Sequence, residues 1–191
     1  MKVERGRFLG QALVIAIDTS ISMGVKDIRP TRFDAARRGA SVIIRSMFGS
    51  GVSLMVGLVA FYGHSMPVVD LTGDIEVVER GLSTLGIQGK STNLSEAIKD
   101  AYLMLKWAPA GYRKRIVVIT DGDYNEGYEP DFIINLLSYD SIRLDVLLVT
   151  EPSSGKMSRL RRLTEATGGK VYAAKSLEEV VKAATMIAYE D

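Results

Sequence analysis

The chain has 191 residues, of which 47% are hydrophobic and 25% charged, a composition typical of one soluble domain with a substantial core. Its 24 basic and 23 acidic residues leave a net charge of +1, which gives no long-range field to attract nucleic acid or an anionic membrane. The absence of cysteine and the presence of only one histidine exclude disulfide frameworks, cysteine nucleophiles and zinc sites built from several imidazoles. We therefore expect a single domain over residues 1–191, cytoplasmic and without a membrane span.

The first part of the chain predicts strands separated by one helix. Residues 13–17 form a continuous apolar run closed by a polar turn, which is typical of a strand buried on both faces. The start signal Pro-Thr-x-x-Asp and apolar residues at three-to-four spacing predict a helix over residues 30–48. Two extended segments, 52–61 and 66–71, are separated by only four residues, which predicts a hairpin and hence one antiparallel strand.

The second part of the chain alternates helix and strand patterns. Apolar periodicity predicts helices, and short runs of branched residues predict the strands between them. The predicted helices cover residues 74–85, 94–105, 131–138, 158–167 and 176–188, and the strands cover residues 116–119, 144–149 and 170–173. This alternation predicts one α/β domain whose mostly parallel sheet is covered by helices on both faces.

Oxygen-bearing side chains follow two of the predicted strands. Asp18, Ser20 and Ser22 come directly after the first strand, and Asp121 comes after a later one. In open α/β sheets ligands bind outside the carboxyl ends of the strands, so neighbouring strands would bring both carboxylates to one crevice, which Thr92 could enter from the side. Carboxylates and hydroxyls favour Mg²⁺, Mn²⁺ or Ca²⁺. Since Mg²⁺ usually retains water, one exchangeable position would remain for a carboxylate from outside.

Simpler interpretations exist for each piece of this pattern. An isolated Asp-x-Ser-x-Ser is a common strand-ending turn, and Thr92 alone could be a helix N-cap. The segment GIQGKST lacks the first glycine of a phosphate loop, because that position is Thr84. A haloacid-dehalogenase-like phosphatase, by resemblance, needs a second aspartate where this chain has Ser20. Only the convergence of all the oxygen donors at one sheet edge favours a metal site.

The combined pattern resembles a known family. Asp18-x-Ser20-x-Ser22 after a buried strand, Thr92 in GKSTNLSEAI, and Asp121 in VVITDGDYN together resemble the metal-ion-dependent adhesion site of von Willebrand factor type A domains, including integrin inserted domains. The resemblance covers essentially the whole chain and indicates a prokaryotic or archaeal single-domain type. It implies a Rossmann-like three-layer sandwich with a six-stranded sheet in the order 3-2-1-4-5-6 and strand three antiparallel. It also implies that Ser20, Ser22 and Thr92 contact the ion, while Asp18 and Asp121 act largely through water and hydrogen bonds.

The functional expectation is a protein-interaction module, because a site with an open metal position but no base, nucleophile or acid catalyst binds without turnover. The resemblance implies that an exposed Asp or Glu of a protein partner completes the ion's shell. By analogy, an AAA+ ATPase of the MoxR type is a candidate partner. We expect a monomer that binds no nucleic acid. The loop residues Asp123, Tyr124 and Asn125 are expected to form the partner-binding rim.

Two other functions stay open at this point. The first is a metal-dependent phosphohydrolase with Asp18 as nucleophile and Asp123 as the only further carboxylate nearby. The second is a structural α/β module in which the ion only stabilises the fold. The resemblance further implies that the last helix, residues 176–188, shifts when the ion gains an acidic ligand.

Overall fold

The computed structural model describes residues 8–190 and contains one six-stranded sheet. Its strands are β1 (Gly10–Asp18), β2 (Leu54–Phe61), β3 (Ser65–Thr72), β4 (Tyr112–Thr120), β5 (Arg143–Val149) and β6 (Val171–Ala174). Their spatial order is β3-β2-β1-β4-β5-β6, and only β3 runs antiparallel to its neighbour. The predicted strand order and the antiparallel hairpin strand are confirmed.

Helices cover both faces of this sheet. They are α1 (Arg32–Phe48), α2 (Ile75–Thr84), α3 (Leu94–Leu105), α4 (Asp131–Tyr139), α5 (Ser154–Glu165) and α6 (Leu177–Tyr189), with a short 3₁₀ helix at Ile21–Gly24. Side chains along β1 alternate between two cores: Leu13, Ile15 and Ile17 face α1, α2 and α6, whereas Val14 and Ala16 face α3, α4 and α5. This arrangement confirms the three-layer α/β sandwich.

A bilayer-spanning helix is not found among residues 8–190, where every helix is too short or too polar.

The predicted boundaries differ from the observed ones where charged or small residues extend an element. β4 begins at Tyr112 rather than at residue 116, because the charged segment YRKR pairs in register with the start of β1. α5 begins at Ser154 rather than at residue 158, because the Ser153 side chain caps it by accepting a hydrogen bond from the Lys156 amide. In both places tertiary pairing or capping outweighs the weak apolar pattern.

Two glycines offer a test of local packing. A Cβ at Gly169 would lie 1.8 Å from the backbone oxygen of Leu144, whereas a Cβ at Gly155, within α5, meets nothing within 4 Å. We expect Gly169→Ala to lower the free energy of unfolding by at least about 2 kcal/mol, since backbone cannot yield as a side chain does. Gly155→Ala should raise it by up to about 1 kcal/mol through helix propensity. Urea denaturation measures the stability of both variants. A Gly169→Ala variant as stable as wild type would show that the backbones at Gly169 and Leu144 are not this close.

Candidate metal centre

The ends of β1 and β4 place the two predicted carboxylates at one edge of the sheet. These strands pair in parallel with Ile17 opposite Ile119; Asp18 is the last residue of β1, and Asp121 directly follows β4. Both side chains are fully buried. The sequence predicts that both carboxylates face one crevice if these two strands are neighbours, and the structure shows that they are.

The Asp18 carboxylate is held by hydrogen bonds but has no ion-pair partner among residues 8–190. Its Oδ1 accepts from the Ser20 amide at 2.9 Å, and its Oδ2 accepts from the Thr120 hydroxyl at 2.6 Å. Burial raises the pKa of the Asp18 carboxyl to about 6; hydrogen bonds from Ser20 and Thr120 lower it in part, and the charge of Asp121 raises it. The fold thus opposes ionisation of Asp18, which a nearby cation would favour.

The two serines of the Asp-x-Ser-x-Ser turn lie close together. Ser20 Oγ and Ser22 Oγ are 3.0 Å apart, with Ser20 buried and Ser22 half-buried. The 3₁₀ helix that carries Ser22 is fixed to the loop before α3, because the Ile21 amide donates to the Gly89 oxygen at 2.7 Å. The turn therefore presents two adjacent hydroxyl oxygens from a well-anchored backbone.

Thr92 is tied to the loop that follows Asp121. Its amide donates to Asn125 Oδ1 at 3.0 Å, and its backbone oxygen accepts from the Asn125 amide at 3.1 Å. The interpretation of Thr92 as a helix N-cap is wrong, because Asn93 caps α3 by accepting from the Glu96 amide. The Thr92 hydroxyl makes no hydrogen bond within the described part of the chain, so its oxygen is free to act as a ligand.

Arg32, the first residue of α1, was not predicted as part of this site. Its Nη1 lies 2.9 Å from Asp121 Oδ2, and its Nη2 lies 2.6 Å from Asp27 Oδ2. A cation at a helix amino terminus is disfavoured by the helix dipole, and this is the only signal in the sequence that could have singled it out. Arg32 thus partly neutralises Asp121 and links it to the loop before α1.

The predicted rim residues occupy different environments. Asp123 is exposed and forms an ion pair with Lys156 at 2.6 Å, and Asn125 is exposed but holds Thr92. Tyr124 departs from the expectation of a rim side chain: it is only 9% exposed, and the Arg159 guanidinium covers its ring at 3.6 Å. Its ring belongs to the core beneath α5 rather than to an accessible rim.

The donor set fits a hard divalent ion with a partly aqueous shell. Among residues 8–190 there is no group of three His, Cys, Asp or Glu side chains that could hold a metal. An ion here would therefore rely on the two carboxylates and the neutral hydroxyls, with water in the remaining positions, an arrangement that Mg²⁺ accepts. Such a shell would leave one position at which the ion could exchange a ligand. The donors would be Asp18, Ser20, Ser22, Thr92 and Asp121.

Comparisons with known proteins agree on one fold. The family model described as von Willebrand factor type A domain matches residues 13–123. BatB from Bacteroides thetaiotaomicron is similar with a TM-score of 0.78 and 20% identity, over 95% of this chain and 100% of that chain. The SpRpn10 VWA domain is similar with a TM-score of 0.74 and 22% identity, over 90% of this chain and 93% of that chain.

A pilus adhesin contains the same fold within a longer chain. SpaC from Lactobacillus rhamnosus GG, in an open conformation, gives a TM-score of 0.74 and 14% identity over 94% of this chain and 29% of that chain. No curated protein sequence matches this chain. At these identities the structural likeness shows a shared fold only.

Proposed function

Because the chain belongs to the von Willebrand factor type A family, we propose that it is a metal-dependent protein-interaction module. Ser20, Ser22 and Thr92 would contact one Mg²⁺-type ion, and Asp18 and Asp121 would support it through water and hydrogen bonds. Mn²⁺ or Ca²⁺ are alternatives of the same chemical class. An Asp or Glu of the partner would take the ion's exchangeable position.

One observation carries this proposal: Asp18 is fully buried without an ion-pair partner anywhere in residues 8–190. Arg32 forms ion pairs with Asp121 and Asp27, so its charge is shared between these two carboxylates and not with Asp18. A buried carboxylate without a counter-ion is costly, and a divalent cation between Asp18 and Asp121 would remove that cost. The neighbouring hydroxyl oxygens are the ligands such an ion prefers.

Binding without turnover is the function that the side chains favour. The Ser20 and Ser22 hydroxyls lie 3.0 Å apart and share a hydrogen bond, and neither is paired with a histidine or lysine that could activate it as a nucleophile among residues 8–190. The phosphohydrolase alternative, with Asp18 as nucleophile, needs a further carboxylate at the ion. Asp123 is the candidate that the sequence offers, and its carboxylate is paired with Lys156. We therefore propose that the chain is not an enzyme.

The proposal specifies the chemical character of the partner and not its identity. It would be a protein with an exposed acidic side chain, and an AAA+ ATPase of the MoxR type is proposed by analogy alone. The similar fold in a pilus adhesin is compatible with a role in protein binding, without identifying a partner for this chain.

Affinity capture from a native extract tests the proposal. Wild-type protein is immobilised in Mg²⁺ and in EDTA, beside a folded Asp18→Ala, Ser20→Ala variant in Mg²⁺. A matched control carries Glu165→Ala and Ser158→Ala, which alter an exposed carboxylate and an exposed hydroxyl on α5. We expect a protein retained only by wild type and control in Mg²⁺, and lost after its acidic residues are neutralised. The same proteins under all conditions would place the binding surface elsewhere.

A further inference from the structure

A second surface lies away from the metal centre, between β3, the edge strand of the sheet, and α3. It is a groove of about 510 Å³. β3 contributes Pro67 and Leu71, and the carboxyl-terminal end of α3 with the residues after it contributes Leu103, Met104 and Trp107. Most of the side chains that line the groove are therefore apolar.

The most exposed member of this lining is Trp107. It is 87% exposed, and Leu103 beside it on α3 is 51% exposed. Large apolar side chains grouped at an open groove are unfavourable in water and commonly mark a contact surface. Tryptophan in particular is enriched among the residues that contribute most to protein interfaces.

Two carboxylates set the charge of the groove. Asp70 from β3 and Asp100 from α3 both line it, and neither has an ion-pair or hydrogen-bond partner in the part of the chain that the structure describes. Uncompensated negative charge repels nucleic acid and anionic membrane surfaces. It attracts a partner whose cation can lie beside its apolar side chain.

We propose that this groove binds a segment of a partner protein that presents a large apolar side chain next to Lys or Arg. α3 begins two residues after Thr92, and Leu103 lies about 14 Å further along the helix at 1.5 Å per residue. The contact is therefore separate from the metal centre and does not require an ion. It goes beyond the proposed metal-dependent function and persists if that function is wrong.

A selection of short random peptides displayed on phage tests this inference in EDTA, where the metal centre cannot contribute. Peptides are selected on wild type after depletion on Trp107→Ala, which removes an exposed side chain and leaves the core intact. Trp107 is the only tryptophan, so its fluorescence reports binding of each synthetic peptide directly. We expect enriched peptides to carry an aromatic or aliphatic residue beside Lys or Arg and to shift the emission to shorter wavelength.

The charge and apolar contributions are separated by matched variants. Asp70→Asn with Asp100→Asn should weaken the selected peptides by about tenfold or more. Glu165→Gln, at an exposed acid elsewhere, and Tyr139→Ala, at an aromatic residue that is 88% exposed, should change nothing. Failure to enrich such peptides, or equal affinity for the Asp70, Asp100 variant, overturns the proposal. Dimerisation of wild type but not of Trp107→Ala in light scattering also overturns it, since a second copy would then cover the groove.

Discussion

Replacing Asp18 with asparagine is expected to stabilise the metal-free protein at neutral pH and to abolish its stabilisation by Mg²⁺. Burial holds the pKa of the Asp18 carboxyl at about 6, above its ordinary value of 3.8. Ionising it within the fold at pH 7 therefore costs up to about 3 kcal/mol relative to the unfolded chain. Asparagine removes the charge and keeps an oxygen that can accept from the Ser20 amide.

The pH dependence follows from the same shift. Because the pKa is raised in the fold, the contribution of Asp18 to stability is fully present below pH 3.8, where the unfolded chain also binds the proton. It is lost as the pH rises toward about 6, the pKa in the folded protein. A bound ion has the opposite effect, since it competes with the proton, so Mg²⁺ should stabilise most above this range.

Urea denaturation in EDTA and in Mg²⁺, at about pH 4.5 and about pH 7.5, measures both effects. Asp131→Asn, which neutralises an exposed aspartate on α4, is the control and should follow wild type in Mg²⁺. The account is contradicted if Asp18→Asn is less stable than wild type in EDTA at the higher pH. It is equally contradicted if Mg²⁺ stabilises this variant as much as wild type.

Asp145→Ala is expected to lower the free energy of unfolding by about 3 to 5 kcal/mol. Arg115 on β4 is buried, and its Nε lies 2.6 Å from Asp145 Oδ2. Its Nη1 also donates to the backbone oxygens of Ile187 at 2.7 Å and Glu190 at 3.2 Å, at the end of α6. Burial lowers the pKa of Arg115, so loss of its partner leaves an unfavourable charge in the interior.

Two further variants distinguish the cost of leaving a buried charge unpaired from the cost of losing an ion pair as such. Glu79→Ala breaks an ion pair with Arg45, which is 66% exposed, and should cost no more than about 1 kcal/mol. Arg115→Met combined with Asp145→Leu should recover much of the lost stability, because both charges of the buried pair are then gone. Arg143, which also lies 2.9 Å from Asp145, keeps its charge but is partly exposed to water. If Asp145→Ala and Glu79→Ala lower the free energy of unfolding equally in urea denaturation, the burial of the Arg115–Asp145 pair does not add to the cost of breaking it. Hydrogen exchange should also increase at the end of α6 in Asp145→Ala.

The sheet and the position of the candidate site could be predicted because their signals are local. The apolar run at residues 13–17 predicts a buried strand, and a polar turn directly after such a strand must lie at the sheet's carboxyl edge. The order of the strands in the sheet could not be predicted from these local signals, since periodicity does not specify which strands are neighbours. It came from the family resemblance, and the observed pairing of β1 with β4 confirms it.

Long-range polar pairs could not be predicted in this way. Arg32 meets Asp121 across 89 positions of the chain, and Arg115 meets Asp145 across 30. Either arginine is equally compatible with a solvated surface when the sequence is considered alone. The packing of α1 on the sheet decides that Arg32 reaches Asp121, and the pairing of β4 with β5 decides that Arg115 reaches Asp145.

Tyr124 was placed incorrectly on the exposed rim for a related reason. It stands among the polar residues Asp123 and Asn125, whose composition is typical of a surface loop. In the structure its ring packs in the core with Leu160 and Leu163 of α5, and Arg159 of the same helix covers it. This contact joins two segments that are far apart in the chain, so the composition of the loop does not reveal it.

Titration with Mn²⁺, followed by the paramagnetic resonance of the free ion, tests the central claim most directly because Mn²⁺ accepts the same oxygen ligands as Mg²⁺. The account predicts one bound ion per wild-type chain and an affinity at least about tenfold lower for a folded Ser20→Ala, Ser22→Ala variant. Ser46→Ala with Ser83→Ala, two serines away from the site, should bind as wild type does. No binding by wild type, or equal affinity for the Ser20, Ser22 variant, would contradict an ion at the carboxyl edge of the sheet.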